Sequence, residues 1–236
     1  MSQARQFALP FPHSPQYEAA DFLAADGNAE ALRWLDHTTE WPQRRLALWG
    51  PAGSGKTHLV HIWARRAGAS VIDGASLRLV PPERALAIDD ADAAPEQPLL
   101  HTLNAAAEAG FPVLLAGREA PARWPVRLPD LASRLRAITA VQIRPADDTL
   151  LRMLLARLLA ERQVAVPESV QRFLLLHLPR TAAAMREAAA RLDHASFAAG
   201  RRASRAIAAE VVAEMTGLED SLPAAPSESP LTPLLL

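Results

Sequence analysis

The segment Gly50–Thr57 constrains the fold of this chain more than any other feature of its sequence. It matches the pattern G-x-x-x-x-G-K-S/T, follows the apolar run Leu46–Trp49 and precedes the helical run His58–Arg66. Glycines at these positions let backbone N–H groups turn inward around phosphates, and the N-terminus of the following helix adds a partial positive charge. A glycine-rich turn that carries a lysine by chance is the alternative. The strand-to-helix setting favours a phosphate-binding loop formed by Gly50, Pro51, Ala52, Gly53, Ser54, Gly55, Lys56 and Thr57.

Lysine occurs once in this sequence, at Lys56, and every other one of the 25 basic residues is an arginine. A compact ammonium group is suited to a task that a planar guanidinium cannot perform. Within a phosphate-binding loop, Lys56 would reach the β- and γ-phosphates of a nucleotide, and the Thr57 hydroxyl would bind Mg²⁺. The motif therefore predicts ATP or ADP as a ligand, together with Mg²⁺.

A second apolar run, Arg84–Ile88, ends in the two carboxylates Asp89 and Asp90. In a protein with a phosphate-binding loop, Asp89 would hold Mg²⁺ through its water shell, and Asp90 would orient or deprotonate the attacking water. The alternative is a strand that ends in acidic turn residues, with Asp90 or Asp92 capping the next segment.

The order of predicted elements indicates an α/β fold followed by a helical segment. Strands and helices alternate over 21–145, which favours a parallel sheet covered on both faces, whereas 146–217 has only helical patterns and is expected to form a small lid domain. Residues 1–20 read as an extended arm, and the proline-rich residues 218–236 as a disordered tail. The predicted strands are Arg45–Trp49, Ser70–Asp73, Arg84–Ile88, Pro112–Ala116 and Ile138–Ile143. The predicted helices are Asn28–Asp36, Lys56–Ala67, Pro98–Ala109, Pro129–Leu135, one through Arg162 capped by Asp147 or Asp148, Pro167–Leu178, Thr181–Ala199 and Ser204–Met215.

The composition excludes several classes of protein. Cysteine is absent, which rules out disulfides, thiolate metal sites and a cysteine nucleophile. A net charge of −1 argues against strong direct binding of DNA. No apolar run has the length of a membrane span, and the N-terminal residues lack the basic region and apolar core of a secretory signal. We therefore expect a cytoplasmic protein without a membrane partner.

From about Phe7 to Met215 the sequence resembles the AAA+ ATPases of the DnaA type. The resemblance is carried by the phosphate-binding loop, the Ile-Asp-Asp strand, the trailing helices, and Asp21-Phe-Leu followed by Asn28 on the adenine side. In layout the chain is similar to the Hda-like regulatory inactivators of DnaA, a branch of that family with an ATPase domain and lid but no C-terminal helix-turn-helix domain. The resemblance implies a P-loop AAA+ fold and a role in the initiation of replication.

Leu-Pro-Asp-Leu-Ala-Ser-Arg-Leu, which ends at Leu135, resembles the family segment that carries the arginine finger. The resemblance implies that Arg134 enters the nucleotide site of a neighbouring molecule, where such a finger is worth roughly 10³–10⁵ in rate. The alternative is a solvated arginine near Arg136.

The N-terminal arm resembles the short peptides that dock on the β sliding clamp of DNA polymerase III. Gln6 would supply hydrogen bonds and Leu9 and Phe11 the apolar anchors, on a segment kept extended by Pro10 and Pro12. The alternative is an arm whose apolar residues pack on its own domain.

The two sensor positions of the family do not match cleanly. The fourth strand is followed by Gly117 and Arg118 where polar residues are expected, although Arg118 can take part. Alignment places Ala183 at the second sensor, with Arg180 and Arg186 one turn either side, and Arg180 is taken as the candidate nucleotide contact. These departures predict that the chain's own ATP hydrolysis is slow or absent.

Together these features predict a DnaA-related AAA+ regulator that binds adenine nucleotide, docks on the sliding clamp and stimulates hydrolysis of the ATP held by DnaA. The main alternative is a self-contained AAA+ ATPase acting as a helicase loader or DnaA-like replication factor. A small-molecule phosphotransferase and a nucleotide-gated adaptor without catalysis also stay open, as does a nucleotide-dependent homo-oligomer.

Overall fold

A central parallel sheet organises the first part of the chain in the computed structural model, which describes residues 22–200 and 202–217. Its five strands are β1 (Arg45–Trp49), β2 (Ser70–Asp73), β3 (Leu86–Asp89), β4 (Val113–Gly117) and β5 (Thr139–Gln142). They lie in the order β2-β3-β4-β1-β5, and every neighbouring pair is parallel. The α/β class predicted from the sequence is therefore confirmed.

Helices cover both faces of the sheet. Successive side chains of a strand point to opposite faces. Leu46 and Leu48 of β1 accordingly belong to a core shared with the first two helices, whereas Ala47 belongs to a core shared with the third and fourth. The four helices are α1 (Ala29–Asp36), α2 (Lys56–Ala67), α3 (Glu96–Ala109) and α4 (Pro129–Ala137).

Most predicted bounds are confirmed to within two residues, and β1, β2 and α2 have the bounds that the sequence predicts. Helix α3 begins at Glu96, two residues before the predicted Pro98, which lies in its first turn. Proline is tolerated there since the first N–H groups of a helix have no acceptor within it.

The remaining helices form a bundle with a separate apolar core. Side-chain oxygens of Asp147, Thr181 and Ser204 accept hydrogen bonds from backbone N–H groups three residues further on, at 2.7, 3.1 and 3.4 Å, and so cap three of the helices. Pro167, predicted inside a first turn, instead precedes its helix. These helices are α5 (Asp148–Glu161), α6 (Glu168–His177), α7 (Ala182–Ala199) and α8 (Arg205–Thr216). Across the described ranges, no helix combines the length and apolar character that a membrane span requires.

Candidate functional site

The phosphate-binding loop connects the carboxyl end of β1 to the start of α2. Gly53 and Gly55 have φ of +77° and +98°, a backbone conformation that glycine adopts at little cost. A Cβ on Gly55 would lie 3.2 Å from Cε2 of Phe22, and one on Gly53 would lie 3.1 Å from Cγ2 of Thr181. The absence of side chains at these two positions therefore keeps the cradle open and brings Phe22 and the lid close to it.

Lys56 lies in the first turn of α2, and only 7% of its surface is exposed. Its Nζ donates hydrogen bonds to the carbonyl oxygens of Gly50 and Pro51, at 2.8 and 2.9 Å. Burial lowers the pKa of this ammonium. The charges of three aspartates, the last residue of β3 and two in the turn after it, oppose that shift, and the charge of Arg118 adds to it. A cation is thus held at the mouth of the loop by neutral oxygens that a phosphate can replace.

Thr57 and Asp89 lie together beside the loop, as the metal prediction requires. The Thr57 hydroxyl donates to Oδ2 of Asp89 at 2.7 Å. Oδ1 of Asp89 and the Ser54 hydroxyl are buried without a hydrogen-bond partner. Mg²⁺ usually takes one or two protein oxygens together with waters and substrate phosphates. These orphaned oxygens and the open cradle fit a nucleotide with Mg²⁺, although in the described part of the chain no three His, Asp or Glu residues form a metal cluster.

Asp90, the predicted water-orienting residue, is exposed and follows the end of β3. Its φ of +46° and ψ of +44° lie in the left-handed region, which aspartate tolerates better than most residues. The turn passes close to Gly74, where a Cβ would lie 2.2 Å from the Asp90 carbonyl oxygen. A tight turn therefore fixes the backbone that presents this carboxylate.

Asp92, which the sequence assigns at most to capping, connects the two neighbouring strand ends. Its Oδ2 accepts a hydrogen bond from the backbone N–H of Arg118 at 3.0 Å. This contact joins the turn after β3 to the residue after β4, where the first sensor is expected. The only sequence signal for it is a third acidic residue shortly after the strand.

A cavity of about 250 Å³ separates the loop from the lid. Phe22 and Leu23 line one end, and the buried Asn28 braces the segment that carries them, accepting from the N–H of Ala25 at 2.9 Å and donating to the carbonyl of Leu23 at 3.0 Å. The side that faces the lid is formed by Ala146, Leu150, Leu154, Ala182, Ala183 and Arg186, and the loop side by Gly53, Ser54, Gly55, Lys56, Thr57 and His58.

The two arginines that flank Ala183 have different environments. Arg180, the candidate preferred from the sequence, is exposed, forms an ion pair with Asp148 and is not among the residues that line the cavity. Arg186 lines the cavity, and its Nη2 lies 3.4 Å from Nδ1 of His58. Arg186 is therefore the arginine of the pair that the fold brings to the cavity between the phosphate-binding loop and the lid.

Arg134 lies in the last turn of α4, half-buried, and does not line the cavity of its own chain. Near it is Arg45, 3% exposed, which donates to the Leu103 carbonyl at 2.7 Å. Burial lowers the pKa of Arg45, and the charge of Arg134 lowers it further. Two like charges thus lie close together at the predicted finger.

The start of α4 is held by a carboxylate that sequence reasoning missed. Oxygens of Glu96, on α3, accept hydrogen bonds from the backbone N–H of Arg127 at 2.9 Å and of Leu128 at 2.8 Å. These bonds hold the pKa of Glu96 below its ordinary value. The helix that carries Arg134 is thereby tied to α3. The predicted clamp-binding residues Gln6, Leu9 and Phe11 lie outside the described residues, as does the tail 218–236.

Comparisons with solved structures relate this fold to two groups of proteins. Domain III of the replication initiation protein DnaA from Thermotoga maritima has a TM-score of 0.71 at 18% identity, over 87% of this chain and 99% of that one. AMPPCP-bound DnaA from Aquifex aeolicus has a TM-score of 0.62 at 16% identity, over 74% of this chain and 64% of that one. The Holliday junction branch migration motor RuvB from Thermotoga maritima has a TM-score of 0.57 at 18% identity, over 78% and 68%.

No protein-family model matches the sequence. At these identities the similarity establishes the fold. The parallel five-stranded sheet, the phosphate-binding loop after β1 and the helical bundle together give this chain the P-loop AAA+ fold of the DnaA and RuvB structures.

Proposed function

We propose that this chain is a cytoplasmic AAA+ regulator that binds ATP or ADP with Mg²⁺, docks on the β sliding clamp and stimulates hydrolysis of the ATP held by DnaA. The observation that carries the proposal is that the predicted arginine finger lies apart from the phosphate-binding loop of its own chain. The chain has a phosphate cradle under a lid, whereas Arg134 does not line its own cavity. A finger that does not line its own cavity is suited to completing a neighbour's site.

The chain's own residues bind and orient the nucleotide. When bound, the nucleotide and Mg²⁺ supply the phosphoryl group and the charge that polarises it. Lys56, whose Nζ donates to the carbonyl oxygens of Gly50 and Pro51, would donate to phosphate oxygens instead. Thr57 and Asp89, whose oxygens lie together, would hold the metal. Asp90 would orient the attacking water, and Arg186 would supply the cation on the lid side of the cavity.

The hydrolysis that this chain stimulates would take place in the nucleotide site of DnaA. Arg134 would neutralise charge that develops on the phosphate held by DnaA, and the arm would concentrate the regulator at the clamp through Gln6, Leu9 and Phe11. The resemblance of the arm to peptides that dock on the sliding clamp, and of the finger segment to the DnaA-type family, supports this arrangement. The tie from Glu96 to the start of α4 supports it too, because it limits movement of the finger helix.

The test is the rate of hydrolysis of DnaA-bound ATP in the presence of this protein and DNA-loaded sliding clamp. We expect strong stimulation that Arg134→Ala and Gln6→Ala each remove. Arg136→Ala is the matched control, since Arg136 is an exposed arginine on the same helix and should retain the stimulation. Absence of stimulation by the wild-type protein, with nucleotide binding intact, would overturn the proposal.

One observation favours the alternative of a self-contained ATPase. Asp89 accepts from the Thr57 hydroxyl, Asp90 follows it directly, and Asp92 accepts from the N–H of Arg118, so one chain brings several acidic groups to the loop side of the sheet. This alternative predicts basal ATP turnover that is lost in Lys56→Ala and unaffected by Gln6→Ala.

A further inference from the structure

We propose that His58 is a positioning residue for Arg186, and that it holds the guanidinium on the nucleotide cavity by accepting a hydrogen bond at Nδ1. This proposal rests on the proposed binding of nucleotide in that cavity. It adds a residue of the phosphate-loop helix to the machinery that couples the lid to the nucleotide.

The hydrogen bond between Arg186 and His58 lies where the imidazole ring is buried and packed against an aromatic side chain. His58 is 5% exposed, and Phe22 packs edge-on against its ring, with ring centroids 5.3 Å apart and an interplanar angle of 78°. Nη2 of Arg186 lies 3.4 Å from Nδ1 of His58. All three side chains line the same cavity. The packing of Phe22 therefore fixes the direction in which Nδ1 presents its lone pair.

The chemistry of the two groups sets the direction of the bond. A guanidinium carries only donors, so Nδ1 of His58 must be the acceptor and cannot carry a proton while the bond exists. Arginine has five N–H donors in a planar fork. One donor used on His58 leaves the others available to phosphate oxygens, so the two interactions are compatible.

Arg186 lacks a carboxylate partner in the ranges that the structure describes, whereas Arg180 has Asp148. A cation at a cavity edge without a counter-ion is stabilised by an arriving anion. His58 directly follows Thr57, so it lies on the helix whose N-terminus faces the phosphates. A hydrogen bond from this position connects α2 of the loop to α7 of the lid, at the point where the phosphates would lie.

The experiment compares the affinities of wild-type and variant proteins for AMPPCP and for ADP, each with Mg²⁺, by calorimetry on the full chain. His58→Phe keeps a ring against Phe22 but has no acceptor, and we expect it to weaken binding about 3- to 10-fold, the effect of one hydrogen bond. His58→Asn places an amide oxygen near the former Nδ1 and should recover most of that loss. Arg186→Ala should weaken binding at least as much as His58→Phe.

Non-additivity is the readout that a merely structural role would not produce. In an Arg186→Ala background, His58→Phe should change the affinity less than about twofold, because its partner is gone. His61→Phe makes the same substitution one turn further along α2, outside the cavity lining, and should leave the affinity unchanged.

Two results would overturn the proposal while leaving nucleotide binding in place. One is full affinity in His58→Phe, and the other is an unchanged His58→Phe effect in the absence of Arg186. A wild-type protein that binds neither nucleotide would instead refute the proposed function itself, and the role of His58 with it.

Discussion

Two glycines with similar backbones offer a quantitative test of how the lid meets the phosphate loop. Gly53 has φ of +77° and lies in the loop, and Gly68 has φ of +62° and ends α2. A Cβ on Gly53 would lie 3.1 Å from Cγ2 and 3.2 Å from Cβ of Thr181, whereas a Cβ on Gly68 would have nothing within 4 Å. Alanine at Gly68 therefore measures the effect of backbone strain alone on stability, whereas alanine at Gly53 measures backbone strain together with contact with the lid.

The expected magnitudes follow from these environments. A left-handed conformation destabilises the folded state by roughly 1–2 kcal/mol for a non-glycine residue. Alanine also lowers the conformational entropy of the unfolded chain, which offsets about 0.4–1 kcal/mol of that loss. Gly68→Ala should therefore lower the free energy of unfolding by about 1 kcal/mol. Gly53→Ala carries the same cost plus about 1 kcal/mol for crowding Thr181, which is the low end for overpacking because only one side chain must move. Its expected loss is about 2 kcal/mol.

Urea denaturation of the nucleotide-free protein measures both losses. Thr181→Ser in the Gly53→Ala background should recover about half of the extra loss, because it removes Cγ2 but keeps Cβ and the hydroxyl that caps α7. Equal losses in the two alanine variants would refute the reasoning. They would mean that the lid does not rest on the loop in the nucleotide-free protein.

Three further predictions concern the site and its supports. Lys56→Met should weaken ADP binding about 10- to 100-fold in calorimetry, because it removes a charge-assisted hydrogen bond to phosphate, and a wild-type affinity would contradict its assigned role. The pKa of Glu96 is lowered in the folded state, so its carboxylate stabilises the fold above about pH 4.5 and that stability is lost as the pH falls. Glu96→Gln should accordingly show a smaller decline in urea midpoint on acidification than the wild type, and an identical decline would count against the hydrogen bonds to the loop before α4. Asp147→Ala should lower the free energy of unfolding by about 1 kcal/mol in the same assay, and Asp147→Asn should not, since only alanine lacks an oxygen for the first turn of α5.

The sequence predicts best those features, such as the ends of helices, that depend on residues adjacent in the chain. The bounds of α2 follow from the loop glycines on one side and from Gly68, a left-handed C-terminal residue, on the other. The sequence predicts Thr181 and Ser204 at the starts of helices, and both cap the helix that follows. The meeting of Thr57 and Asp89 was also predictable, because parallel strands bring their carboxyl ends to one edge of the sheet.

The contacts between sheet and lid were beyond such reasoning, as the choice between Arg180 and Arg186 illustrates. Thr181 caps α7, so Arg180 precedes the helix and reaches Asp148 at the start of α5. Arg186 lies three and four residues after Ala183 and Ala182, which places it on the same helical face, and that face lines the cavity. Helical spacing groups those three residues on one face of α7. That this face is turned toward the phosphate loop depends on a contact between Arg186 and His58, which lie 128 positions apart in the chain.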